Sequence, residues 1–168
     1  MNAIRLTGFL CMAFAAFAQD VHFNYDRSAN FAAYKTYRWV DRGGSAPDQL
    51  MDQNIKRAVD GQLAGKGLQR VETGGDLQIG YRTALDKEKQ FNAFSMGPRW
   101  NAAGTVNTST IDVGKIAVEI VDPARQQLVW RGDAAKTLDL SKDPEKNYRN
   151  LEKAMAKLFR NYPPKEKM

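Results

Sequence analysis

Ile116-Ala-Val-Glu-Ile-Val-Asp-Pro-Ala-Arg-Gln-Gln-Leu-Val-Trp-Arg-Gly-Asp-Ala134 is the stretch that decides the fold. Ile116, Val118 and Ile120 alternate with smaller or charged residues, the period of a strand with one buried face. Asp122-Pro-Ala-Arg125 is turn chemistry. Leu128 to Leu138 reads as the returning strand, with Leu128 and Trp130 expected on one face. Trp130 and Gly132 read as packing residues, since tryptophan buries a large area and a strand glycine marks a close approach.

The pattern extends outward from this hairpin. Upstream, Thr108 to Val121 alternates, and so does Asp76 to Ala84, with Leu77, Ile79 and Tyr81 on one face. Between them, residues 85–107 lose periodicity and read as a long loop, which in a compact domain is commonly functional. Leu50, Met51, Ile55, Ala58, Val59 and Leu63 recur at helical spacing. The opposite side of that helix carries Asp52, Lys56, Arg57 and Asp60. Ser45-Ala-Pro-Asp48 has the S-x-x-D form of a helix start, and Gly65 and Gly67 supply a stop. Gly61 to Gly67 is therefore a helix end rather than a phosphate loop, which would open a helix.

Near the N-terminus, residues 21–25 and 35–40 read as strands, with Phe31 and Tyr34 packing inward from the turn between them. After the hairpin, Asp143-Pro144 opens a last helix. Its apolar stripe is Tyr148, Leu151, Met155, Leu158 and Tyr162, and Pro163-Pro164 ends it. The order is β-β-α-β-β-β-β-α. Strands and helices do not alternate strictly, so the fold class is α+β: a largely antiparallel sheet of about six strands, with two helices packed on one face. The other face is expected to be wet or covered by the long loop.

The opening residues carry an address. Met1 to Arg5 is a short positive region, Leu6 to Phe17 is apolar, and Ala16-Phe17-Ala18 is an A-x-A site. The run is shorter than the ~20 apolar residues a spanning helix needs. Cleavage between Ala18 and Gln19 is expected. Residues 1–18 then form a signal peptide, and residues 19–168 form a single α+β domain in the periplasm or outside the cell. The lone cysteine, Cys11, falls within the apolar run and follows the bulky Leu10, so an ordinary leader residue is preferred to a lipid anchor there. The mature chain would have no cysteine and so no disulfide or thiol nucleophile.

Net charge is +6 for the whole chain, Arg5 being the one charge in the leader. Positive residues gather late in the chain, from Lys136 through Lys146, Arg149, Lys153, Lys157 and Arg160 to Lys167. They read as a solvated helix face or as attraction to an anionic envelope surface. An exported destination excludes nucleic acid as a partner.

Recognisable catalytic chemistry is missing. The single histidine, His22, falls on the polar side of the first strand, and no G-x-S-x-G elbow presents a serine. No Cys/His ligand pairs suggest a metal, and no cofactor is expected. Asp76, Asp112, Glu119 and Asp122 are the acids from which a carboxylate pair would have to assemble. The feature above background is the run 91–100, with Phe91, Phe94, Met96, Arg99 and Trp100, a residue mix enriched in interface cores. It either covers the second face of the sheet or docks a partner.

Several pieces taken together resemble the bacterial family named domain of unknown function 4136. They are Phe31, Tyr34-Lys-Thr-Tyr37 and Trp39 within 26–40; Lys66-Gly67-Leu68; Asp76-Leu-Gln-Ile-Gly-Tyr81; Gly114 to Asp122; Val129-Trp-Arg-Gly-Asp-Ala134; and Pro163-Pro164. The resemblance implies an α+β domain of the bacterial envelope, often lipid-anchored in the outer membrane. It implies no established activity, cofactor or catalytic residue. Two departures stand out: the leader lacks a clean lipidation motif, and Glu119 stands where an aspartate is expected.

The functional expectation is an exported envelope protein that is a non-catalytic binding or scaffold module rather than an enzyme. Its partner would be an envelope protein or membrane component, reached through the aromatic loop or an open sheet edge. Membrane association stays open, with no transmembrane helix in the mature chain. Two alternatives accompany it. One is a carboxylate-dependent hydrolase acting on envelope lipid or glycan. The other is a binder of anionic lipid or lipopolysaccharide through the basic last helix.

Overall fold

A computed structural model of the chain describes residues 20–41, 43, 48–93, 106–137 and 143–165. The strands are β1 (Asp20–Tyr25), β2 (Thr36–Trp39), β3 (Gln69–Arg70), β4 (Leu77–Ala93), β5 (Val106–Asp122) and β6 (Gln127–Thr137). The helices are α1 (Gln49–Ala64), between β2 and β3, and α2 (Pro144–Leu158), after β6. This is the expected α+β order. The six strands form one sheet in the order β1-β6-β5-β4-β2-β3. β1, β6, β5 and β4 pair antiparallel, whereas short β2 runs parallel to both β4 and β3.

Local chemistry sets the helix ends. The Asp48 carboxylate accepts from the Met51 backbone N–H at 2.8 Å, capping α1. Asp48 is thus the cap itself rather than the fourth residue of an S-x-x-D start, and Ser45 lies outside the described residues. Gly67, not Gly65, takes the left-handed conformation at φ +84°, and the Leu68 N–H returns to the Leu63 carbonyl. Asp143 caps α2 by accepting from the Glu145 and Lys146 N–H groups, with Pro144 in the first turn.

Both helices close one face of the sheet. Ile55, Ala58, Val59 and Leu63 of α1 join Met155 and Leu158 of α2 in one buried cluster with Tyr37, Leu77, Ile79, Tyr81, Val118, Ile120 and Trp130. Leu50, expected on the apolar side, is 71% exposed at the first turn of α1. Trp130 is fully buried, stacked on Phe159 at 5.1 Å between ring centres and edge-on to Tyr162 at 5.5 Å.

Two expectations are corrected along the hairpin. Leu128 and Trp130 do not share a face. Ile120 pairs with Trp130 while Val121 pairs with Leu128, so Val129 is an extra residue in β6. This bulge turns Trp130 into the core and leaves Leu128 47% exposed on the other side. The expected loop at 85–107 is strand wherever it is described, since β4 runs to Ala93 and β5 begins at Val106, with residues 94–105 outside the described residues. Alternation was absent because the segment Asp86 to Asn92 is polar at every position but Phe91, and its pairing rests on backbone hydrogen bonds.

Gly132 confirms the close approach expected of it. A Cβ there would clash with the Trp130 ring and lie 2.7 Å from Leu158 Cδ1. Gly132→Ala should therefore destabilise the domain by about 2–3 kcal/mol through overpacking. Urea unfolding tests this, and a loss below about 0.5 kcal/mol, the range of ordinary surface changes, would show that the ring is not held over residue 132.

Candidate docking surface

The face of the sheet without helices is charged. Glu119 on β5 sits directly opposite Arg131 on β6, and the next residue outward on that face of β6 is Asp133. Arg131 Nη1 donates to Glu119 Oε1 at 3.0 Å, and Nη2 to Asp133 Oδ1 at 2.8 Å. Arg82 on β4 approaches Glu119 Oε2 at 3.8 Å. Hydrogen bonding to Asp133, and then the charges of Asp133 and Glu119, hold the Arg131 guanidinium above its ordinary pKa despite partial burial. Glu119 is 7% exposed, roofed by its arginines. Beside this ladder lies an open concavity of about 460 Å³, lined by Gln78, Glu119, Val121, Pro123, Gln126 and Leu128. His22 is exposed on β1, at the register position of Asp133.

The acids weighed for catalysis are held apart. Glu119 and Asp122 lie three residues apart on one strand and so leave opposite faces of the sheet. Asp122 accepts from the Tyr34 hydroxyl at 2.9 Å and from the Ala124 and Arg125 N–H groups, fixing the hairpin turn. Burial, then this contact with Asp122, pushes the Tyr34 hydroxyl pKa up. Asp76 accepts from the Lys35 N–H, the Thr36 N–H and the Thr36 hydroxyl at 2.8–2.9 Å, tying β2 to the start of β4. Asp112 pairs by backbone register with Lys87 on the outlying part of the hairpin. These three described side chains are structural hydrogen-bond acceptors at separate places. Among the described residues, no group of three or more His, Cys, Asp or Glu is placed to hold a metal ion.

Two further acids, read in the sequence as solvent-facing, point at the sheet instead. Asp60 of α1 accepts from the Tyr37 hydroxyl at 2.7 Å, Trp39 Nε1 at 2.8 Å and Arg70 Nη1 at 3.1 Å. Asp52, two turns earlier, accepts from the Tyr81 hydroxyl at 2.6 Å and from Lys56 at 2.9 Å. Burial, then the adjoining carboxylate, drives both tyrosine hydroxyls far above their ordinary pKa. The signal that could have found these pairs is the aromatics themselves, because a buried phenol or indole needs a polar partner.

The longest feature is a β ribbon. β6 last pairs with β5 at Val113↔Thr137, and β2 last pairs with β4 at Trp39↔Ile79. β4 and β5 continue through seven more pairs, from Lys87↔Asp112 to Ala93↔Val106. Among the described residues, β4 from Ala84 to Ala93 has a strand neighbour on its β5 side alone. Leu85 is 63% exposed at the root of this ribbon, where Asp86 and Lys115 form an exposed ion pair at 2.7 Å. Of the predicted interface residues, Phe91 lies on the ribbon opposite Thr108. Phe94, Met96, Arg99 and Trp100 lie outside the described residues, as do Cys11, Ala18 and Gln19.

The fold and its surfaces define a two-layer α+β domain: one face closed by helices, one face charged, and a ribbon running beyond both. The chain belongs to the family described as Domain of unknown function (DUF4136), whose sequence model matches residues 21–164. No curated protein matches the chain. Among solved structures, it is similar to a PDZ domain protein from Parabacteroides distasonis, with 16% identity and a TM-score of 0.57. That match covers 89% of this chain but only 37% of the other. It is also similar to a PelC dodecamer from Paraburkholderia phytofirmans, with 10% identity and a TM-score of 0.50 over 84% of this chain and 95% of that one. These likenesses concern the fold alone.

The hydrogen bonds from the Lys35 and Thr36 backbone, then the Thr36 hydroxyl, depress the Asp76 pKa below its ordinary value. A depressed carboxylate stabilises the fold above its unfolded pKa, and this is lost as pH falls through the lower folded value. Asp76→Ala should thus cost about 1 kcal/mol at neutral pH, the exposed site screening the interaction. The deficit should shrink below about pH 4, the ordinary aspartate pKa. Urea midpoints of parent and variant at neutral and acid pH check this; a pH-independent gap would rule out the charge on Asp76 as its source.

Proposed function

We propose that the chain is an exported cell-envelope protein that acts by binding, capturing an extended segment of another envelope protein along the outer edge of β4. The observation that carries this reading is the ribbon. Seven backbone pairs stand outside the six-stranded sheet, and a lone two-stranded ribbon is marginal in water. A third strand added to β4 would satisfy its outward N–H and C=O groups. The edge sequence Asp86-Lys-Glu-Lys89 alternates in charge, which favours a partner strand of the complementary alternation.

Other observations support the same reading. The leader-like residues 1–18 favour export with cleavage after Ala18, and family membership is compatible with an envelope location. Among the described residues no helix is long and apolar enough to cross a membrane. Asp76, Glu119 and Asp122 are engaged in structural bonding, which favours binding over carboxylate catalysis.

A photoreactive residue in place of exposed Leu85, expressed in cells, tests the assignment. A recurrent adduct with one envelope protein is expected from position 85 and none from exposed Gln53 on α1. Adducts with a second copy alone, or equal labelling from both positions, would overturn it.

A further inference from the structure

The outer surface of the helix layer is charged differently from the rest of the domain. Arg57 and Lys66, in and just beyond α1, are exposed there, with Lys146, Arg149 and Lys153 of α2 and Arg160 in the following turn. At about 100° per residue, Lys146, Arg149 and Lys153 fall within about 60° of one another, on the side of α2 roughly opposite Met155 and Leu158. The packing that buries those two apolar residues therefore aims the basic stripe outward.

Acids do not interrupt the stripe. Glu145 and Glu152 lie at its flank, and burial, then the neighbouring Glu152 carboxylate, raises the Tyr148 hydroxyl pKa. Tyr148 itself lies beneath the Arg57 guanidinium, 4.5 Å from the ring centre. Arg149 reaches Asp143 at 3.7 Å, a long, exposed pair that leaves most of its charge to solvent. On the opposite face of the domain, Arg131 and Lys115 pair at 2.7–3.0 Å with Glu119, Asp133 and Asp86.

We propose that the helix-layer surface docks on an anionic lipid surface, its lysines and arginines meeting the phosphates of the headgroups. The outward stripe of α2 holds no large apolar residue, so its contact with the headgroups is electrostatic and peripheral. Each Lys or Arg near such a surface strengthens binding about fivefold, and salt screens it. This goes beyond the β4-edge reading and uses a different surface, so either can fail while the other stands.

The test is co-sedimentation with vesicles of phosphatidylcholine, with and without phosphatidylglycerol. It uses protein purified from cells that export it, so that parent and variants share one N-terminus. Binding is expected to require phosphatidylglycerol and to fall steeply with salt. Arg149→Gln/Lys153→Gln/Arg160→Gln should lose about a hundredfold in affinity. A control removing three charges elsewhere, Arg27→Gln/Lys35→Gln/Arg38→Gln, should bind within a fewfold of the parent. Thermal melting of both variants establishes that each is folded. Equal binding to both vesicle types, insensitivity to salt, no binding at all, or equal losses in the two variants would overturn the proposal.

Discussion

The structure depends on a socket in the sheet. Gly132 has no side chain, and the Trp130 ring and Leu158 both enter the space above it. A buried tryptophan removes roughly 200 Å² from water, worth about 5 kcal/mol. Its Nε1 is buried and has no hydrogen-bond partner among the described residues. The ring therefore stabilises the fold through packing on Phe159 and Tyr162, not through its polar handle. The bulge at Val129 is part of the same device. Without the extra residue, the register that places Leu128 outside would carry Trp130 outside with it.

The two helices are held by different chemistry. α2 is seated by apolar contact at this socket, through Met155, Leu158 and the following Phe159. α1 has its own apolar row, but Asp52 and Asp60 also fasten it to β2 and β4 through Tyr81, Tyr37 and Trp39. These bonds fix the rotation of α1 about its axis, because two acceptors eight residues apart must both meet hydroxyls on the sheet. The seating of α2 fixes its rotation in turn, so the direction of its basic stripe follows from the core.

Legibility in the sequence followed the same division. Periodicity exposed the helices, the order of elements and the strands with one buried face, and Trp130 with Gly132 announced a close approach. The bulge was invisible, because one extra residue leaves the composition of the hairpin unchanged while reversing a face. The ribbon was hidden because alternation reports burial, and Asp86 to Asn92 is polar almost throughout. Asp52 and Asp60 were misread because a helical carboxylate defaults to solvent unless a tyrosine from elsewhere reaches it. The candidate edge was not legible: of the aromatic run only Phe91 falls on the described ribbon, and the open edge of β4 depends on where β2 stops.

Natural sheets rarely leave a long flat edge uncovered, since it templates unwanted pairing. Here the outermost strands obey that rule, with β1 six residues long and β3 only two. The helix-free face obeys it too, its arginines and acids keeping a broad sheet surface polar at little net gain in stability. β4 departs from the pattern beyond β2, and its edge residues alternate in charge instead of repelling uniformly. A uniform run of lysines would protect such an edge against every strand. Alternation protects it against most strands while admitting those whose charges run in the complementary order. On the function proposed for the ribbon, that pattern is what would select one partner strand over another.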